Sequence, residues 1–153
     1  GVIVIDLFED VAPAHVKRIA NLAAEGKYDG VAFHRVIDGF MAQTGDVQFA
    51  NITDYDSNAA GRGGSEYPDI KAEFSEKPFV RGTVGMARSQ DVNSANSQFF
   101  IMFDRGDFLN GQYTVYGRVT KGMELVDDIA RGEPPMDPDR MVSVRVAADV
   151  EVK

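Results

Sequence analysis

FHRVIDGFMAQTGD, residues 33–46, decides how this chain reads. An Asp-Gly pair set between alternating apolar residues signals a hairpin, and here it falls at Asp38-Gly39. Phe33, Arg35 and Ile37 alternate onto one face of the first strand. The register across the turn then settles which groups meet. A two-residue turn pairs Arg35 with Ala42 and sends Gln43 to the other face. A three-residue turn pairs Ile37 with Met41 and Arg35 with Gln43, all on one face. A slip of one residue inverts every side chain on a strand. The three-residue turn, or an equivalent bulge, is the expectation, with Gly39 at positive φ. A permanent cation, an amide and an apolar floor suit a site that grips a peptide. They do not suit proton transfer or covalent catalysis. The plainer reading is an amphipathic hairpin carrying a surface arginine.

Before the hairpin, VIVIDLF at 2–8 reads as a covered strand. Pro13 suits the first turn of a helix, Val16, Ile19, Ala20 and Ala23 recur at helical spacing, and Gly26 stops it. His15 reads as a solvated residue on that helix. After the hairpin, residues 47–82 form a polar, glycine-rich excursion with Asx-turns. Within it, Gly61-Arg62-Gly63-Gly64 only superficially resembles a phosphate loop, because the Gly-Lys-Ser/Thr ending is missing. Asp54, Asp56 and Asn58 start like a calcium loop, but Ala59 and Ser65 stand where glycine and glutamate are needed. A solvated position suits Glu73 better than the partial burial its place beside Phe74 would allow.

Residues 82–87 form a strand in which Gly85 marks a close backbone approach or a bulge. Residues 88–96 are too polar and irregular for a helix. Ser97 to Met102 is strongly strand-like, with Gln98 and Phe100 on one face. A buried amide left unpaired costs about 1–3 kcal/mol, so Gln98 needs a loop backbone or a bound peptide. Phe108-Leu109 sits in a loop, where the pair must line a pocket or plug the core. Tyr113 leads into a strand at 114–119, a second helix runs from about 122 to 131, and 141–150 alternates as a last strand. His34 alternates away from Arg35 and reads as a core residue or a support to the site.

The 153 residues suffice for one domain, 1–153, with a real core, and no linker or repeat divides them. A content of 44% hydrophobic residues indicates a globular chain. A net charge of −8 argues against nucleic-acid binding. No apolar run approaches a membrane span, so no membrane partner is expected. With no cysteine there is neither a thiolate nucleophile nor a zinc-thiolate site. No Gly-x-Ser-x-Gly is present, and the two histidines lack helical ligand spacing. Any reaction should therefore need no nucleophile, metal or cofactor. Seven or eight strands with two helices and no βαβ repeat point to a mainly β, antiparallel sheet closed into a barrel, with helices capping its ends.

Three stretches together, FHRVIDGFMAQTGD at 33–46, GMARSQDVNSANSQFFI at 85–101 and FLNGQYTVYGRV at 108–119, resemble the cyclophilin family of peptidyl-prolyl cis-trans isomerases. The resemblance covers essentially the whole chain. It implies a closed eight-stranded antiparallel β-barrel capped by two α-helices, filled inside, with substrate in an external groove. Position by position it implies Arg35 as the catalytic cation, with Gln43 beside it gripping the peptide. It implies a proline pocket of Phe40, Met41, Phe100 and Leu109. Ala87, Arg88 and Gln98 would line the groove, and Phe108 and Tyr113 would border it. Many animal members carry Trp at the place of Phe108, His at that of Tyr113 and often Asn at that of Arg88. The loop before Ser97 is also about one residue longer here, and Phe108 and Tyr113 resemble the choices of bacterial members. Cyclosporin binding in the family uses an indole N–H at the Phe108 place, so only weak cyclosporin affinity is expected. The implied partners are proline-containing peptides and unfolded or loop segments of proteins, without a cofactor. With no apolar stripe to pair copies, a monomer is expected. The chain begins at Gly1, and its first strand looks shortened. A cytoplasmic location is expected, with the periplasm as the alternative had a leader been removed.

Overall fold

Alternation and turn chemistry place most elements where the sequence puts them. The computed structural model describes residues 1–147. In chain order it contains β1 (Val4–Leu7), α1 (Pro13–Ala24), β2 (Val31–Ala32), β3 (Arg35–Ile37), β4 (Met41–Thr44), β5 (Thr83–Met86) and β6 (Phe99–Met102). A 3₁₀ turn at Asp107–Leu109 follows, then β7 (Val115–Lys121), α2 (Met123–Asp127) and β8 (Arg140–Met141). Six strands form one antiparallel sheet in the order β1-β7-β5-β6-β4-β3, and β2 pairs with β8.

The fold is mainly β with two helices, as expected, but among the described residues no continuous ladder closes the eight strands into one barrel. The reason lies in where the backbone groups of β2 go. Ala32 N–H donates to Ala50 O, Phe33 N–H donates to Asp139 O, and the Thr44 hydroxyl donates to Ala32 O at 2.9 Å. Loops and a side chain thus take the bonds that a closing strand would need. The expected strand at 141–150 also ends early. Val144 N–H donates to the Asp29 carboxylate at 2.9 Å instead of to a neighbouring strand, and Val142 is exposed. Residues 148–150 of that expectation lie outside the described residues.

Helix α1 ends as Gly26 requires. Gly26 has φ +72°, its N–H donates to Ala23 O, and Lys27 N–H donates to Leu22 O, which is the Schellman pattern. Its start corrects two expectations. His15 is fully buried, not solvated, and the Glu73 carboxylate accepts from Ala14 N–H, from His15 N–H and from the His15 ring Nδ1. Ala12 at the N-cap offers no side-chain acceptor, so a carboxylate from the long excursion caps this helix.

Helix α2 is shorter than the expected 122–131. Ala130 N–H donates to the Asp139 carboxylate, and Arg131 bends back onto the carbonyls of Asp127 and Ile129. Those bonds replace the next helical turn.

The main core packs the α1 face of Val16, Ile19 and Leu22 against Phe33, Val84, Phe99, Ile101 and Tyr116. Phe99 meets Tyr28 and Tyr116 edge-on at 5.5 and 6.3 Å, so the interior is filled with side chains. Among the described residues no helix is long and apolar enough to cross a membrane.

Candidate active site

The hairpin takes the three-residue turn. Arg35 lies opposite Gln43, Val36 opposite Ala42 and Ile37 opposite Met41. Gly39 sits at φ +73° with nothing within 4 Å of where a Cβ would stand, so its need is conformational and not steric. Strand β6 lies beside β4 with Phe100 opposite Gln43, and β5 lies beside β6 with Gly85 opposite Phe100. Residues directly opposite one another share a face. The row Arg35–Gln43–Phe100–Gly85 therefore crosses four strands on one surface.

Gly85 completes the row by being small. A Cβ there would stand 2.6 Å from Phe79 and 2.8 Å from Phe100. Phe79 uses that space to stack on Phe100, with ring centroids 5.7 Å apart. Met41, Phe100 and Leu109 are buried in one apolar cluster with Phe79, Met102 and Val115. Phe40, Ala87 and Tyr113 pack against it, each partly exposed. Tyr113 meets Phe100 edge-on at 5.9 Å, and the Arg88 guanidinium covers Tyr113 at 4.3 Å. Phe108 is 70% exposed, and its ring lies 5.5 Å from that of Phe40. Thus the Phe108-Leu109 pair is divided: the 3₁₀ turn buries Leu109 in the cluster and leaves Phe108 at its border.

The polar side of the row is a chain of amides. Gln43 Nε2 donates to Gln98 Oε1 at 3.1 Å, and Gln98 Nε2 donates to the carbonyls of Gly61 and Gly63 at 3.0 and 2.8 Å. The buried Gln98 is therefore satisfied by loop backbone. The loop is held in turn by Asp46, fully buried, whose carboxylate accepts from the N–H groups of Gln48, Phe49, Gly61 and Gly63. These glycine N–H groups are spent on a carboxylate and build no phosphate cradle. Asp56 accepts from Asn58 N–H in an Asx-turn. Among the described residues no group of three or more histidines or carboxylates could hold a metal. Next to the amides a cleft of about 400 Å³ is lined by Gln43, Gly63, Ala87, Arg88, Ser94 and Gln98.

Arg35 is 45% exposed, and its Nε donates to Glu133 Oε1 at 3.0 Å. His34, on the opposite face, is buried; burial pushes its pKa below the ordinary histidine value, against the pull of Asp46. The structure therefore brings Arg35, Gln43, Phe40, Met41, Ala87, Gln98, Phe100, Leu109 and Tyr113 to one face, with Phe108 and Arg88 at its rim. Sequence reasoning missed three supports: Phe79, Asn110 and Glu133. Asn110 Oδ1 accepts from Phe79 N–H at 2.8 Å and ties the 3₁₀ turn to the stacked ring. Phe79 had a signal, since Gly85 announces a close neighbour without saying which one.

Comparison with known proteins matches residues 1–146 to the family model described as cyclophilin type peptidyl-prolyl cis-trans isomerase/CLD. The chain belongs to the cyclophilin family. A relative from Brucella suis, named a probable peptidyl-prolyl cis-trans isomerase, is 57% identical over 157 aligned positions, covering 99% of this chain and 80% of the relative. Peptidyl-prolyl cis-trans isomerase B of Bacillus subtilis is 36% identical, covering 84% and 82%. Among solved structures, the cyclophilin AquaCyp293 from Hirschia baltica superposes with a TM-score of 0.84 at 28% identity, covering 98% of this chain and 71% of that one. A Cryptosporidium parvum cyclophilin crystallised in the presence of the dipeptide Ala-Pro gives 0.80 at 26% identity, covering 94% and 91%. As a cyclophilin, the chain is a peptidyl-prolyl cis-trans isomerase.

Proposed function

We propose that this cyclophilin isomerises Xaa-Pro bonds by binding the twisted amide more strongly than the planar one, with Arg35 as hydrogen-bond donor to the prolyl nitrogen. Amide resonance sets a barrier of roughly 18–20 kcal/mol. As the bond twists, the nitrogen becomes pyramidal and regains its lone pair. A guanidinium can donate to that lone pair and scarcely at all to a planar amide nitrogen. Only such differential binding speeds the step. A charge-assisted bond of about 1.5–3 kcal/mol corresponds to roughly 10- to 100-fold in rate.

The observation that carries this reading is the opposition of Arg35 and Gln43 on the same face as Met41 and Phe100. The prolyl ring would rest on Phe40, Met41, Phe100 and Leu109 while the acyl side rotates. Gln43, Ala87 and Gln98 would hold the peptide backbone, with Arg88, Phe108 and Tyr113 along the border. Removing water from the amide oxygen in that notch further weakens resonance. The substrates are proline-containing segments of unfolded chains or loops, so the activity assists folding. The protein acts as a monomer in the cytoplasm. Phe108 has no N–H to offer, so cyclosporin binds weakly; nanomolar inhibition would refute that part.

The test is Arg35→Ala, followed by exchange NMR on a short Ala-Pro peptide. The variant should lose most exchange while still shifting the peptide's peaks. Near-normal exchange rates would overturn the mechanism. A wild-type protein that shifts peaks without exchange would be a binding module.

A further inference from the structure

Glu133 lies 98 positions after Arg35 in the chain, yet it is the side chain that bonds the guanidinium. Its placement is built, not incidental. Val36 N–H donates to Gly132 O and Gly132 N–H donates to Val36 O, both at 2.8 Å. This reciprocal pair welds the segment after α2 to the strand that carries Arg35. A second tie adjoins it: Arg131 Nε donates to Asp38 at 3.1 Å at the hairpin turn, while the Arg131 guanidinium lies over the Phe103 ring at 4.3 Å. One residue beyond the reciprocal pair, Glu133 Oε1 receives Arg35 Nε at 3.0 Å.

We propose that Glu133 is a positioning residue for isomerisation: it fixes the Arg35 guanidinium through Nε and so leaves the Nη edge to meet the prolyl nitrogen. This rests on the reading of Arg35 given above. An arginine side chain has many rotamers open to it, and a half-exposed one that roams donates poorly to a nitrogen that is basic only at the twisted state. Among the described residues the guanidinium donates to Glu133, while the Gln43 amide is joined to Gln98 through its Nε2. A planar fork anchored at one nitrogen has its remaining donors fixed in direction. The anchoring is done before substrate arrives, which is what preorganisation requires.

The effect should fall on turnover and not on peptide affinity, since the planar ground state makes little use of the guanidinium. Glu133→Ala should lower kcat about 3- to 10-fold, the scale of a modest loss of aim, with KM unchanged. Glu133→Gln keeps an acceptor of the same reach and should recover most of the loss. Thermal midpoints should stay close to wild type, because both partners are exposed.

A double-mutant cycle decides the matter: wild type, Glu133→Ala, Arg35→Ala and the double variant, each assayed by exchange NMR on an Ala-Pro peptide. The proposal requires Glu133→Ala to slow wild type and to change nothing in the Arg35→Ala background. Equal slowing in both backgrounds, or no slowing in wild type while Arg35→Ala abolishes exchange, overturns it. A raised KM at unchanged kcat also overturns it, since that marks a binding role. Full exchange in Arg35→Ala alone would instead indict the Arg35 mechanism itself.

Discussion

Replacing Arg35 with lysine keeps the charge and discards the fork. A lysine ammonium is a compact point charge on a flexible stem, so it cannot hold Glu133 by one nitrogen and offer a directed donor from another. Arg35→Lys should therefore recover little of the activity lost in Arg35→Ala, a loss of roughly 10- to 100-fold. A proteolysis-coupled isomerase assay reads this directly, and a lysine variant within twofold of wild type would show that charge alone suffices. Phe108 makes the opposite kind of case. Its ring is 70% exposed beside Phe40, so a larger ring meets open space. Phe108→Trp should leave isomerisation nearly unchanged and tighten cyclosporin binding at least tenfold, because the indole N–H supplies a donor that phenylalanine lacks. Titration calorimetry would show it; equal affinity of the two proteins would place the weakness elsewhere.

At the scale of elements, what could be read in advance depended on how local its cause is. The β3–β4 register followed from Asp38-Gly39 and an alternation of a few residues, and Gly26 announced the end of α1 by the same short-range chemistry. The start of α1 did not announce its cap. His15 and Glu73 are 58 positions apart, and no period links them. The same distance blindness hid Glu133 from Arg35, 98 positions away. Clean alternation in 141–150 suggested a full strand, but a periodicity says which face is apolar and not which donor is free; Asp29 took the Val144 N–H. The cap predicts its own worth. Glu73→Ala removes the acceptor of Ala14 N–H and His15 N–H and leaves the His15 ring nitrogen buried without its carboxylate. A lost cap and an unpaired buried group each cost about 1–2 kcal/mol, so a loss of about 2–4 kcal/mol is expected in urea unfolding. Isomerase activity per folded molecule should be unaffected, because Glu73 lies outside the Arg35 row.

The whole molecule carries both of its histidines in the interior, and this sets how stability follows pH. Burial lowers the pKa of His15, outweighing the opposing pull of Glu73, and burial likewise lowers that of His34 against Asp46. Both rings are thus neutral in the folded protein at pH 7. An unfolded chain titrates its histidines near 6.5, so below about that pH the unfolded state binds more protons than the native one. Stability conferred by a lowered histidine pKa is present above the unfolded value and drains away as pH falls through it. Each histidine should contribute a slope of up to about 1.4 kcal/mol per pH unit below 6.5, until its own folded pKa is reached. Glu73 acts in the same direction but later. Its lowered pKa, held down by the His15 ring and two backbone N–H groups against burial, matters only once acid reaches the ordinary carboxylate range. Between pH 7.5 and 5.5, therefore, the decline follows the two buried histidines. The urea midpoint should be flat above pH 7 and fall steadily below 6.5. His34→Phe, which removes one titrating group from the buried face behind Arg35, should flatten that fall. A midpoint independent of pH across this range, or a fall untouched by the substitution, would mean that the buried rings take up their protons in the folded state as freely as in water.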